Sequence, residues 1–160
     1  MFKYFNLFYS HKISVLISII TIISDQISKS LIIIFLPLGN SWPQEGILRF
    51  THARNTGAAF SLFQDQSVIL SIVSVIAVIF ILFIFKSINK PPLLIRITFG
   101  LQIGGAFGNL IDRFRLGYVT DFIDFGWWPI FNLADSSIVV GITIMIFYFL
   151  FTNENKKTNE

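Results

Sequence analysis

Four long apolar stretches divide the 160-residue chain, with more polar segments between them. A helix needs about 20 apolar residues to cross the roughly 30 Å hydrocarbon core of a bilayer, and each stretch is close to that length or exceeds it. The pattern therefore predicts an all-α integral membrane protein with four transmembrane helices, in a single domain covering residues 1–160. The predicted spans are Ile13–Leu36, Val68–Phe85, Leu93–Ile111 and Leu133–Phe151.

The connection between the first two spans, 37–66, has a pattern of its own. About thirty residues are many for an unstructured connection in a compact protein. Residues 48–51 (Leu-Arg-Phe-Thr) alternate between apolar and polar positions, which is typical of a strand, and Gly46 and Gly57 mark turns. We therefore predict a small β-sheet element in this loop, lying on the membrane surface. The polar tail 152–160 is predicted to be disordered.

Composition and charge refine this picture. With 54% hydrophobic and 13% charged residues, the chain is excluded from the class of soluble monomers. It has no cysteine, which excludes disulfides, a thiol nucleophile and cysteine metal sites.

Because cytoplasmic loops are enriched in Lys and Arg, the basic residues predict cytoplasmic termini and an extracytoplasmic sheet. The net charge of +3 follows from this asymmetry, so no nucleic-acid partner is expected, whereas membrane lipids are. The cytoplasmic set is Lys3, Lys12, Lys86, Lys90, Arg96, Lys156 and Lys157, and the outer set is Arg49, Arg54, Arg113 and Arg115.

Polar side chains interrupt the first span and end the third. Asp25 and Lys29 are one helical turn apart, which favours mutual neutralisation on an inward face that could brace a site. Asn109, Asp112 and Arg113 share one helical face. A polar cavity and a simple Asp112–Arg113 ion pair at the helix end explain these three residues about equally well.

Asp121 and Asp135 are the most informative acids, because a carboxylate beside hydrocarbon is costly and is first interpreted as functional. Two such groups that meet in space can share a proton and act on a bound water. Each also has a structural explanation. Asp121, like Asp124, could be a solvated loop residue. Asn132 could be the N-cap of the fourth span, with Asp135 in its first turn beside the helix dipole.

Other chemistries lack the residues that they require. His11 lies on the cytoplasmic flank and His52 has no serine motif near it, which excludes a Ser–His arrangement. No zinc-ligand spacing and no glycine–lysine phosphate loop are present. The aspartate pair therefore remains, and neither a cofactor nor a metal is expected. The segment 54–60 (Arg-Asn-Thr-Gly-Ala-Ala-Phe) could hold an extended peptide backbone, or it could simply form a turn.

Five segments stand out along the chain: 25–29 (DQISK), 54–60 (RNTGAAF), 104–113 (GGAFGNLIDR), 119–123 (VTDFI) and 131–135 (FNLAD). Taken together and in this order, they resemble the bacterial lipoprotein signal peptidase (signal peptidase II) family. The resemblance implies an intramembrane aspartic endopeptidase of the bacterial cytoplasmic membrane that removes signal peptides from diacylglyceryl-modified prolipoproteins, cutting before the lipidated cysteine. Thr120 and Ser28 depart from the commoner valine and threonine of the family, without touching the implied chemistry.

The resemblance also assigns roles to individual residues. It implies that Asp121 and Asp135 are the catalytic pair, near the outer face of the membrane, with Asp25 and Lys29 as structural support. The residues implied to bind substrate or shape the site are Asn55, Gly57, Asn109, Asp112, Arg113 and Asn132. We expect a monomer. Two alternatives remain, a small transporter that relays through intramembrane charges and a non-enzymatic binder of lipidated proteins.

Overall fold

The computed structural model describes residues 2–57, 66–88 and 91–157, and the side chains of those that fall between 12 and 151. Within these ranges, four helices are long and apolar enough to cross a membrane, which confirms the predicted class. The helices are α1 (Phe2–Phe35), α2 (Ser67–Ser87), α3 (Leu93–Leu116) and α4 (Leu133–Lys157).

Three helices extend well beyond the predicted spans, whereas α2 exceeds its span by only one or two residues at each end. α1 begins at Phe2 and α3 continues to Leu116. α4 continues to Lys157, so the predicted disorder is corrected for 152–157, whereas 158–160 lie outside the described residues. Hydropathy detects only the part of a helix that suits lipid. The extensions contain charged or polar residues, among them Lys, Arg and Glu, which are good helix formers in water, so the helices continue past the part that hydropathy detects.

α3 is the central helix, and its small residues let α1 approach closely. A methyl group at Gly104 would lie 2.6 Å from Thr21 Cβ, and one at Gly108 would lie 2.6 Å from Asp25 Oδ2. Only glycine therefore fits these contacts without displacement, which is the usual role of small residues between transmembrane helices. The close approach places the Asp25 carboxylate against the backbone of α3.

A three-stranded antiparallel sheet lies at the end of the bundle where α1 and α3 finish. Its strands are β1 (Ser41–Trp42), β2 (Arg49–Asn55) and β3 (Val119–Asp124), in the order β1-β2-β3. The predicted sheet is confirmed, but its third strand comes from the connection between α3 and α4, which was predicted as a loop. β3 is buried at nearly every position, so its sequence lacks the alternation that identifies a half-exposed strand.

The register of β2 with β3 and the turn before β3 position the acids of this strand. Asp121 pairs with Ala53 and Asp124 pairs with Arg49, with a shift in register between the two pairs. Gly117 ends α3 in the left-handed conformation, at φ 81°, and its N–H donates to Arg113 O at 3.0 Å. This is a common way to end a helix in a sharp turn. The chain therefore reverses over the end of α3 and enters β3 directly.

Candidate active site

Asp135 lies in the first turn of α4, in reciprocal hydrogen bonds with Asn132. Asn132 Oδ1 accepts from the Asp135 N–H at 2.9 Å, and the Asn132 N–H donates to Asp135 Oδ2 at 3.4 Å. The two residues satisfy each other's free backbone N–H groups, as in a capping box, so the predicted N-cap role of Asn132 is confirmed. Asp135 Oδ1 points away from this cap and accepts from Asn109 Nδ2 at 2.7 Å.

Asp121 is held on β3 with its side chain inside the protein. The residue is 2% exposed, so its interpretation as a solvated loop residue is wrong. Asn55 Nδ2 on β2 donates to Asp121 Oδ2 at 2.8 Å, and Asn132 Nδ2 donates to Asp121 Oδ1 at 2.6 Å. Both carboxylate oxygens therefore face amide donors from other elements of the fold.

The Asn132 side chain connects the two acids. Its Nδ2 donates to Asp121, its Oδ1 accepts from the backbone of Asp135, and the same Nδ2 lies 3.1 Å from Asn109 Oδ1. Asn109 in turn donates to Asp135. The structure therefore brings Asp121, Asp135 and the two asparagines into one hydrogen-bonded network, although they come from α3, β3 and the start of α4.

A buried charge cluster lies against this network. Lys29 Nζ is 2.9 Å from Asp25 Oδ2, 3.2 Å from Asp112 Oδ2 and 2.9 Å from Asn109 Oδ1. The predicted neutralisation of Asp25 by Lys29 is confirmed. The alternative of an Asp112–Arg113 ion pair is wrong, because Asp112 pairs with Lys29 across the helix interface.

Sequence reasoning missed three groups that hold this cluster. Gln26 Nε2 donates to Asp112 Oδ1 at 3.0 Å, the Thr120 N–H donates to Asp112 Oδ2 at 3.0 Å, and the Ala134 N–H donates to Asp25 Oδ1 at 3.0 Å. Gln26 could have been predicted, because an amide side chain next to Asp25 in the middle of a predicted span is unusual. The two backbone donors become visible only once the strands and helices have been assembled.

Asp124 belongs to a separate contact in the sheet. Its Oδ2 is 2.9 Å from Arg49 Nη2 and accepts from Thr51 Oγ1 at 2.7 Å, and its Oδ1 accepts from the Gly126 N–H at 2.7 Å. The residue is 5% exposed, so the solvated-loop interpretation is wrong here too. Asp124 therefore connects β2, β3 and the turn that follows β3.

The pKa values of Asp121 and Asp124, the two acids of β3, are shifted in opposite directions. Burial raises the pKa of the Asp121 carboxyl to about 7, and the nearby charge of Asp135 adds to this effect, while the Asn55 and Asn132 amides oppose it. Burial also acts to raise the pKa of Asp124. The hydrogen bonds from Thr51 and Gly126 and the charge of Arg49 outweigh it, so that pKa lies below its ordinary value.

The remaining candidate residues lie around the two acids. The Gly57 N–H donates to Asn55 Oδ1 at 3.0 Å, which turns the Asn55 amino group toward Asp121. Arg113 is half-buried in a cavity of about 340 Å³ between α2 and α3, from which its charge acts on Asp121 and Asp135. Arg54 stacks over the Tyr118 ring at 4.7 Å. Residues 58–60 of the segment 54–60 lie outside the described residues.

This arrangement suits chemistry on a water molecule held by two carboxyl groups. One acid has a pKa near neutrality, both accept hydrogen bonds from fixed amides, and a guanidinium lies close by. Two neighbouring acids that cannot both ionise easily share one proton, which suits acid–base catalysis. Among the residues that the structure describes, no cluster of three or more His, Asp or Glu side chains could hold a metal ion.

Comparison with known proteins adds four similarities. The chain matches the family described as Signal peptidase (SPase) II over residues 17–151. It is 41% identical over 142 residues to a protein named lipoprotein signal peptidase from Syntrophomonas wolfei subsp. wolfei, covering 88% of this chain and 95% of that protein. A protein of the same name from Dehalococcoides mccartyi is 42% identical over 144 residues, covering 87% and 90%. A solved bacterial membrane enzyme structure superposes with a TM-score of 0.83 at 33% identity, covering 89% of this chain and 90% of that one.

Proposed function

The chain belongs to the signal peptidase II family, and we propose that it cleaves lipoprotein signal peptides as an aspartic endopeptidase with Asp121 and Asp135 as its catalytic pair. The observation that supports this pair is the Asn132 side chain, which donates to Asp121 Oδ1 at 2.6 Å and accepts from the Asp135 N–H at 2.9 Å. One amide bonded to both residues keeps the two acids in one site.

The two acids have different resting states in this proposal. Asp121 holds the shared proton at and below neutral pH, because its pKa is raised to about 7. Asp135, which accepts from Asn109 Nδ2 and the Asn132 N–H, is then the ionised partner and the base. Two neighbouring carboxylates do not ionise together easily, so a single proton on the pair is the favoured state.

The reaction follows from these states. Asp135 takes a proton from a water, and the resulting hydroxide adds to the carbonyl carbon of the scissile peptide bond while Asp121 gives its proton to the carbonyl oxygen. Asp135 then protonates the amide nitrogen, the C–N bond breaks, and a hydroxyl proton of the intermediate returns to Asp121. The products are a signal peptide with a new carboxyl group and a protein with a free α-amino group on its cysteine.

The proposed substrate is a prolipoprotein whose cysteine carries diacylglycerol, and the cut falls before that cysteine. The cavity beside Arg113 is lined on the other side by apolar residues of α2, including Val68 and Ile72, which suits acyl chains. The Arg113 guanidinium interacts electrostatically with Asp121 and Asp135, so it would favour negative charge among the reacting groups. Asn55 and Gly57 shape the other side of the site.

We further propose that both termini are cytoplasmic and that the catalytic pair lies near the outer face. The support is the distribution of Lys and Arg. Because the chain has no cysteine, single Glu45→Cys and Ser87→Cys variants can test this orientation with a membrane-impermeant maleimide. Labelling of Glu45→Cys in intact cells, and of Ser87→Cys only after permeabilisation, is the expected result. The reverse pattern would overturn the orientation.

A direct assay separates this proposal from the transporter and the non-enzymatic binder. Purified protein is incubated with a diacylglyceryl-modified precursor peptide and, as the matched control, with the same peptide without lipid, with and without an aspartate-directed inhibitor. We expect cleavage of the modified peptide before its cysteine and loss of cleavage with the inhibitor. Binding without cleavage would favour the alternatives. The expected monomeric state is measured on the same preparation by light scattering in detergent.

A further inference from the structure

Lys29 lies at the base of the network that holds the two acids. It is 2% exposed, and its ammonium group has acceptors on Asp25, Asp112 and Asn109 at 2.9, 3.2 and 2.9 Å. If Lys29 only neutralised Asp25, one turn away on α1, the contact between these two residues would be sufficient. The contacts with Asp112 and Asn109 instead connect α1 to the face of α3 that bears Asn109, next to Asp135.

The Asn109 amide has only one orientation that satisfies its neighbours. An ammonium group and an amide NH₂ group are hydrogen-bond donors, so the side that faces Lys29 Nζ and Asn132 Nδ2 must be the Asn109 oxygen. The amino group then faces Asp135 Oδ1 at 2.7 Å. With the amide reversed, NH₂ would face two donors and the oxygen would face a carboxylate. The Lys29 contact, the shorter of the two at the Asn109 oxygen, therefore helps to hold the amino group toward Asp135.

We propose that Lys29 is a positioning residue for the reaction: it fixes the Asn109 amide so that it donates to Asp135, and through Asn109 Oδ1 it aligns the Asn132 amide that donates to Asp121. The inference rests on the proposed function and adds to it a specific task for a residue that touches neither acid of the pair. Without Lys29, Asn132 Nδ2 is the remaining donor to the Asn109 oxygen among these contacts, so the Asn109 amide is held less firmly and the donors to both aspartates are less well aligned.

Charge is the second effect of Lys29 and has to be separated from orientation. The charged groups around it are Asp25 on α1, Asp112 and Arg113 on α3, Asp121 on β3 and Asp135 on α4. Replacing Lys29 alone leaves the Asp25 and Asp112 carboxylates without their cation. A Lys29→Met/Asp25→Asn double variant removes one cation and one anion together, so the net charge of the cluster is kept while the Lys29 contact with Asn109 is lost.

The test measures kcat, KM and the pH–rate profile on a diacylglyceryl-modified peptide, with thermal unfolding as the check on folding. We expect the charge-balanced double variant to be folded, with kcat lower by about 10- to 100-fold and KM changed by about twofold at most. This loss is smaller than the about 10²- to 10³-fold cost of removing one preorganised donor, because the donors are misaligned and not removed. We expect Lys29→Met, where it folds, also to move the profile to higher pH, because the cation favours ionised carboxylates. A folded double variant with the wild-type kcat would overturn the proposal.

A double-mutant cycle decides whether Lys29 acts through Asn109. In an Asn109→Ala background, the two changes at Lys29 and Asp25 should lower kcat no further than about twofold, since interacting residues are not additive. A full additional 10- to 100-fold loss would mean that Lys29 acts by another route. Asp121→Asn and Asp135→Asn are measured alongside. If either of these is active, the catalytic pair itself is wrong; if both are inactive and the double variant is normal, only the role of Lys29 is wrong.

Discussion

Replacing Asp121 by asparagine should change the stability of the protein in a direction that depends on pH. The folded protein holds this carboxyl with a pKa of about 7, against an ordinary value of 3.8. Below about pH 4 the group is protonated in both the folded and unfolded states, so its raised pKa does not lower the free energy of unfolding. As pH rises toward 7 the unfolded chain releases the proton first, so stability falls with rising pH and the full cost is present above about pH 7.

The size of the effect follows from the same values. Raising the pKa from 3.8 to about 7 corresponds to about 4 kcal/mol at high pH. Asparagine removes this cost, but its amide cannot accept from both Asn55 and Asn132, and a buried donor without an acceptor costs about 1–3 kcal/mol. The variant should therefore be more stable than wild type by about 1–3 kcal/mol at pH 8, and less stable by a similar amount at pH 4.

Thermal unfolding in detergent, followed by tryptophan fluorescence, is the appropriate assay. The chain has three tryptophans, and Trp42, Trp127 and Trp128 lie in β1 or in the turn after β3. For a chain of this size, 1–3 kcal/mol corresponds to roughly 2–12 °C in Tm. The matched control is Asp124→Asn. Its carboxyl has a lowered pKa and an ion pair with Arg49, so this change should lower the Tm at pH 8 and have less effect at pH 4.

Parallel pH dependences of Tm for wild type and Asp121→Asn between pH 4 and pH 8 would refute the reasoning. That result would mean that Asp121 titrates at the same pH in the folded and unfolded states. A higher Tm for Asp124→Asn at pH 8 would contradict the electrostatic contrast between the two acids of β3.

Two further predictions concern packing and the membrane interface. The methyl group added by Gly108→Ala would lie 2.6 Å from Asp25 Oδ2. The free energy of unfolding should therefore fall by about 1–3 kcal/mol, and an unchanged Tm would contradict this close contact. Trp127 is 76% exposed, and tryptophan favours the membrane–water interface. In a Trp42→Phe/Trp128→Phe protein, Trp127 is the remaining tryptophan. Its fluorescence should be quenched more by lipids brominated near the headgroup than by lipids brominated near the chain end. No quenching by either lipid would place it in water.

The parts of the fold that the sequence predicts well are those with a local physical cause. The four helices follow from runs of apolar residues long enough for a bilayer. The Asn132–Asp135 cap follows from two polar residues three positions apart at the start of such a run. Asp25 and Lys29 are likewise one turn apart on a single helix. In each case the interacting residues are close along the chain, so their spacing alone specifies the contact.

The parts that it does not predict depend on distant contacts. Asn55 and Asp121 are 66 positions apart, and Lys29 and Asn109 are 80 apart. Their contacts require β3 to pair with β2 and α1 to pack on α3. The β3 sequence gives no sign of this pairing, because its side chains are buried on both faces. For the same reason Asp121 and Asp124 looked alike in the sequence, although one is held by amides and the other by Arg49.

The most direct test of the central claim is the rate at which Asp121→Asn, Asp135→Asn and Asp124→Asn proteins cleave a diacylglyceryl-modified precursor peptide below their unfolding temperatures. Asparagine keeps the shape of each side chain and removes its ability to exchange a proton. We expect no detectable turnover by the first two variants, each folded and inserted in the membrane, because general acid–base catalysis contributes about 10²- to 10⁴-fold. We expect turnover within about tenfold of wild type by Asp124→Asn. Near-normal turnover by either folded Asp121 or Asp135 variant would contradict the claim.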